Sequence, residues 1–377
     1  PGADAPASER PGRPLFLTRV KSAPAPGRLL SEFDYRLPSE LIAQHPPARR
    51  GDSRLMHLPA DGAPRHLHFG DLPGLLRGGD LVVLNDTRVM PARIRFEHRG
   101  RDAEILLLEP KGGRDTWECL VRPGKRALPG VRLQLRFGLW ADVVGQSSAG
   151  RRRLRFSPPG RLDQLLPEIG EMPLPPYIKE RLDDPERYQT VVAREPGSAA
   201  APTAGLHFTE VMLATLAAAG VARTELTLRV GLDTFQPVRV EDLDDHQMHS
   251  EAYTIPANAR SAIDACRARG GRVVAVGTTV ARALESAAAA RAAGDTSPDA
   301  GRTEIFIRPG HVFREGDLLL THFPLPKSTL LVMVSAFSGR ARILAAYQEA
   351  VRERYRFFSF GDAMLLEPEV IVLERRI

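Results

Sequence analysis

Cysteine is almost missing from this chain: Cys119 and Cys266 are the two among 377 residues, and they form no C-x-x-C pair. Neither a disulfide framework nor a thiolate zinc site is indicated, and the expected compartment is the reducing cytoplasm. No apolar run approaches the roughly 18 to 20 residues that span a bilayer, which argues against a membrane helix. The first 28 residues are rich in Pro, Ala, Gly and Arg and have no apolar h-region, so a disordered extension is expected there rather than a secretory signal. No glycine-rich nucleotide motif follows an early strand, which disfavours methyl transfer.

What is present is ordinary in bulk. A hydrophobic content of 43% with 26% charged residues fits a soluble globular chain, and the length suggests two domains. Fifty-two Lys and Arg against 46 Asp and Glu leave a formal charge of +6. That excess suits a polyanionic partner, although a solvated basic surface gives the same total.

The pattern along the chain is more informative. Phe33 to Ile42 reads as a strand leading into a short capped helix. Leu81 to Leu84 is a short apolar run, as in a strand buried on both faces, and it ends in Asn85-Asp86-Thr87-Arg88. From Arg93 to about Phe156 short apolar runs alternate with Gly and Pro turns. Six strands are expected there: Ala92 to Phe96, Ala103 to Leu108, Trp117 to Val121, Val131 to Phe137, Trp140 to Val144 and Arg152 to Phe156. The expected architecture is an α/β main domain, residues 29–92 and 160–366, with a small six-stranded all-β barrel inserted at 93–159 and a tail at 367–377. Thr329 to Ala336 reads as a further buried strand, and Ala341 to Tyr355 as an amphipathic helix.

Three stretches carry chemistry. In Ala201-Pro202-Thr203-Ala204-Gly205-Leu206-His207-Phe208-Thr209 small residues leave room for a close neighbour, while Thr203, His207 and Thr209 add polar groups. Thr209 caps the helix that follows, and the positive end of that helix favours an anion. Met248-His249-Ser250-Glu251 places an imidazole beside a carboxylate, for hydrogen bonding or proton transfer. His246 and His249 could share a metal at i, i+3, but no third ligand is evident, so no metal is expected. In Val273-Val274-Ala275-Val276-Gly277-Thr278-Thr279 a buried strand turns into a helix that carries Arg282, an arrangement suited to a carboxylate or phosphate.

Taken together, six segments resemble the S-adenosylmethionine:tRNA ribosyltransferase-isomerase family of queuosine biosynthesis. They are Leu84 to Val89 with Pro91-Ala92-Arg93, Val121 to Lys125, the proline segment Glu171 to Ile178, Ala201 to Thr209, Met248 to Glu251, and Tyr355 to Met364. The resemblance runs from about Phe33 to Leu366. It implies transfer of the ribosyl part of S-adenosylmethionine to 7-aminomethyl-7-deazaguanine in a tRNA anticodon, giving epoxyqueuosine-tRNA, adenine and methionine. It also implies no resident cofactor, with S-adenosylmethionine as co-substrate. Two departures stand out. Thr321-His322-Phe323-Pro324-Leu325-Pro326 replaces the family's Thr-Asn-Phe-His-Leu-Pro, and Gly277-Thr278-Thr279-Val280-Ala281-Arg282 replaces Gly-Thr-Thr-Ser-Val-Arg.

That chemistry needs a base, a proton donor and groups that stabilise anions. His207 or His249 is expected as base or shuttle, with Asp86 or Glu251 as its carboxylate partner. Asn85, Thr203, Gly205, Gly231, Thr278, Thr279, Arg282 and Asp362 are expected to line the substrate site, with Thr278, Thr279 and Arg282 on the methionine carboxylate. Arg88, Arg93, Arg122, Lys125 and Lys327 are the expected tRNA contacts, in a protein that works as a monomer. A non-catalytic tRNA-binding paralogue, and a different S-adenosylmethionine-consuming enzyme acting on a small molecule, remain as rivals.

Overall fold

A computed structural model describes residues 27–147, 150–231 and 237–369. The expected N-terminal extension, apart from Gly27 and Arg28, and most of the expected tail lie outside the described residues.

The Leu81–Asn85 strand is the axis of a nine-stranded sheet. It is buried along its whole length, and its alternation feeds two cores: Leu81 and Val83 pack on one face of the sheet, Val82 and Leu84 on the other. It pairs in parallel with Ala222–Leu228 on one side and Val273–Val276 on the other. Val273–Val276 in turn pairs in parallel with Leu318–His322. The carboxyl ends of four adjacent parallel strands therefore share one edge of the sheet.

Antiparallel and returning strands complete the sheet. Glu251–Thr254 pairs with the end of Ala222–Leu228 and with Ala300–Thr303. On the far side Ala363–Leu366 runs antiparallel to Leu318–His322 and parallel to Arg54–Leu58, with Arg65–His68 at the edge. The segment Thr329–Ser338 is an α-helix, not the strand its apolar run suggests. Ser328 decides the matter: its Oγ caps the helix by accepting from the Leu331 N–H, and seven of the ten helix residues are buried, which erases the one-sided pattern that marks a helix. Phe33 to Ile42 likewise forms no strand, although the short helix expected after it is there as the 3-10 turn Ser39–Leu41.

The second sheet is antiparallel and has seven strands where the sequence suggests six. The additional strand is Gly170–Glu171, which pairs back onto Arg93–Glu97. Nor does it close into a barrel: the edge strands Gly170–Glu171 and Arg132–Gln134 do not pair with each other, leaving a curled half-barrel. The physical reason lies in its core. Leu162, Leu165, Leu166 and Ile169 of helix Arg161–Ile169 bury their apolar face among the strand residues, so the helix supplies the contacts that closure would otherwise provide.

Candidate active-site cleft

The shared carboxyl edge of the parallel strands is where ligands collect in open α/β sheets. Gly277 turns the chain there with φ +92°, a conformation that favours glycine, and starts the 15-residue helix Thr278–Ala292. Two cavities meet at this helix start. One is lined by Ala201, Thr203, Gly277, His322 and Phe358, among others. The other is lined by His249, Arg282, Phe306 and Met333, among others. Thr278, Thr279 and Leu330 border both, so they form one elongated cleft.

The second cavity is ionic. Arg282 is 6% exposed and Glu251 2%, and the Arg282 Nη1 donates to Glu251 Oε2. His249 Nε2 lies 3.3 Å from Glu251 Oε1, which also accepts from the Gly231 N–H at 3.0 Å. Burial alone would raise the Glu251 carboxyl, yet His249, the Arg282 charge and the Gly231 N–H together hold it below the ordinary range. Arg282 Nη2 is buried without a hydrogen-bond partner. A buried cationic donor left open beside a helix N-terminus suits a carboxylate.

The remaining expected site residues separate into distinct positions. Asn85 supports the cleft from behind: its amide bridges the Leu228 backbone and lies 3.5 Å from Thr279 Oγ1. Asp86 is occupied elsewhere, accepting from Arg194 Nη2 at 2.6 Å and Thr227 Oγ1 at 2.7 Å. Asp362 accepts from the backbone N–H groups of Arg54 and Arg356, which pins the turn before the Ala363–Leu366 strand. Gly205 is explained by packing, because a Cβ there would come within 2.9 Å of Thr190 Cγ2.

His207 does not line the cleft itself. It lines an adjoining pocket with Pro46, Arg50, Arg187 and Phe360, and Ser359 borders both that pocket and the cleft. Its ring stacks on Phe69, with centroids 5.1 Å apart, and its Nδ1 is 2.9 Å from Ser53 Oγ. At 5% exposure, burial pushes its pKa down to about 3, with nearby His322, Arg356 and Arg50 acting in the same direction.

The expected tRNA contacts are dispersed. Arg122, 81% exposed, and Lys125 sit on one turn of the half-barrel. Arg88 is paired with Glu186, Arg93 with Glu104, and Lys327 with Asp34 at 2.8 Å. Much of the cleft lining escapes the expected set: Phe306, Leu330, Met333 and Phe358 are apolar residues that read as core in the sequence, and the Phe358 ring sits edge-on to His322. His322 escapes it too, and its signal is its departure from the family pattern.

Residues 30–366 match the family model described as "Queuosine biosynthesis protein". The S-adenosylmethionine:tRNA ribosyltransferase-isomerase of Symbiobacterium thermophilum is 54% identical over 89% of this chain and 99% of its own length. That of Natranaerobius thermophilus is 49% identical over 90% and 99%. The crystal structure of S-adenosylmethionine tRNA ribosyltransferase from Thermotoga maritima, 38% identical, covers 89% of this chain with a TM-score of 0.51.

Proposed function

The chain belongs to the S-adenosylmethionine:tRNA ribosyltransferase-isomerase family, and from that membership we infer that it transfers the ribosyl moiety of S-adenosylmethionine to 7-aminomethyl-7-deazaguanine in tRNA. The products are epoxyqueuosine-tRNA, adenine and methionine. S-adenosylmethionine is consumed as a co-substrate, and no resident cofactor has a part in this reading. Among the described residues no single helix is long and apolar enough to cross a membrane, and we place the enzyme in the cytoplasm as a monomer. The half-barrel, whose strands run from Arg93 to Glu171, divides the catalytic domain into a part before residue 93 and a part after residue 171.

The observation that carries the site assignment is the His249–Glu251–Arg282 group at the edge of the cleft. Adenine must leave C1′ and methionine must leave C5′, whose protons the sulfonium acidifies. A base has to collect such a proton, and the attacking aminomethyl group must itself be deprotonated. His249 serves as base or shuttle, and Glu251 orients it. Thr278, Thr279 and the open Nη2 of Arg282 hold the methionine carboxylate. Asn85, Thr203 and Gly231 shape the site around them, whereas Asp86, Gly205, His207 and Asp362 support its walls. Arg122 and Lys125 engage tRNA phosphates on the half-barrel, and Arg88, Arg93 and Lys327 extend that contact toward the main sheet.

The test is to incubate the purified protein with S-adenosylmethionine and tRNA carrying the aminomethyl-deazaguanine, then look by mass spectrometry for free adenine and epoxyqueuosine. Both products are expected. Binding of tRNA with neither product would turn the reading toward a binding-only paralogue.

A further inference from the structure

The two ends of the cleft differ in kind. One is ionic, built from Arg282, Glu251 and His249. The other is neutral: Ala201, Pro202, Ala204 and Val230 give small apolar walls, Phe358 adds a ring set edge-on to His322 at 5.8 Å, and Thr203 and His322 supply polar atoms. Three strands separate the Glu251 strand from the His322 strand. At about 4.8 Å per strand the two strand ends stand roughly 19 Å apart along the edge. The cleft therefore fits an elongated ligand with one charged and one neutral end.

His322 is the distinctive group of the neutral end. It terminates the Leu318–His322 strand, is 8% exposed, and its Nδ1 makes a long 3.4 Å contact with Thr203 Oγ1. Burial lowers its pKa to about 4, so near neutrality the ring carries one N–H donor and one acceptor and no charge. A phosphate or carboxylate would call for a cation there. A nucleobase would not: adenine presents its N6 donor beside a ring-nitrogen acceptor, a pattern that a neutral imidazole with a hydroxyl neighbour can match.

We propose that His322 is a binding residue for the nucleobase end of the co-substrate, so that the adenine of S-adenosylmethionine lies between Thr203, His322 and the small-residue wall while its carboxylate reaches Arg282. The inference rests on the reading that this cleft takes S-adenosylmethionine, and it fixes the direction in which the molecule lies. The ribose then crosses Thr278 and Thr279, the residues common to both cavities. Adenine leaves into a neutral pocket, and methionine is released at the opposite end.

Titration calorimetry on the full chain tests this with two ligands, S-adenosylmethionine and its decarboxylated analogue. His322→Ala is expected to weaken both by the same factor, about tenfold, the worth of a hydrogen bond to a neutral group. His322→Asn, which restores a donor and an acceptor, is expected to weaken both by less. Arg282→Lys is expected to weaken S-adenosylmethionine alone. Unchanged affinity of both ligands in His322→Ala overturns the inference, as does a loss confined to the carboxylated ligand, which would reverse the direction. If alanine at 322 prevents folding, His322→Phe, which keeps a ring but has neither donor nor acceptor, decides in the same way: a loss common to both ligands supports the inference, and any other result overturns it. If the wild type binds neither ligand, the co-substrate reading fails instead.

Discussion

Arg282 and Glu251 form an ion pair inside the protein, and the guanidinium keeps its Nη2 without a partner. Such a pair is a weak source of net stability, but removing one member leaves the other charge buried and uncompensated. Glu251→Gln is expected to lower stability by about 3 kcal/mol in urea denaturation, on the scale of broken buried pairs. An unchanged midpoint would show that water reaches Arg282.

The same carboxylate sets a pH dependence. Its pKa in the folded protein is held below the ordinary value of 4.5. The stability it contributes is therefore complete above about pH 4.5 and is lost as pH falls through the folded value. Glu251→Gln should flatten that acid limb, as read from denaturation midpoints between pH 6 and pH 3.

His249→Ala is expected to slow single-turnover adenine release by about 100-fold or more, the usual scale of general acid–base catalysis. S-adenosylmethionine affinity, measured in parallel, should change far less. A rate within twofold of wild type would remove His249 from the proton transfers.

His207 gives the second pH signature. Its folded pKa is about 3, against 6.5 for the free side chain. The unfolded chain takes up a proton that the folded one refuses, so this contribution to stability declines as pH falls below 6.5 and levels off near the folded value. Between pH 7 and pH 5 the loss is about 2 kcal/mol. His207→Gln, which does not titrate, should remove that slope while leaving the pH profile of catalysis in place. A shifted catalytic profile would return His207 to the mechanism.

Lys125 is exposed on its turn and has no ion pair among the described residues. Lys125→Ala is expected to weaken tRNA binding and to reduce the slope of log affinity against log salt by about 1. An unchanged slope would place the RNA elsewhere.

Much of the frame can be read from the chain because local rules and tertiary packing agree there. Leu81 to Leu84 needs two apolar neighbours, and the Thr209 cap predicts the helix that its Oγ1 starts by accepting from the Met212 N–H. Thr329–Ser338 defeats the same rules because a segment buried all round has no period to read. The site is harder. His207 follows a run of small residues and His322 does not, but the sheet places His322 at the cleft and turns His207 against Phe69. That choice depends on which strand ends share an edge, and no stretch of sequence carries it alone.

The pairing of Arg54–Leu58 with Ala363–Leu366 also bears on how the protein is made. On the ribosome, the half-barrel has all its strands once residue 171 has emerged, and its neighbours in space are mostly neighbours in sequence. The main sheet must hold Leu55 ready until Ala363 arrives more than 300 residues later. Until then the Arg54–Leu58 hairpin and the Leu318–His322 strand each show an unpaired edge to the cell, so the nascent chain is most exposed to aggregation and to chaperones between the emergence of His322 and that of Ala363.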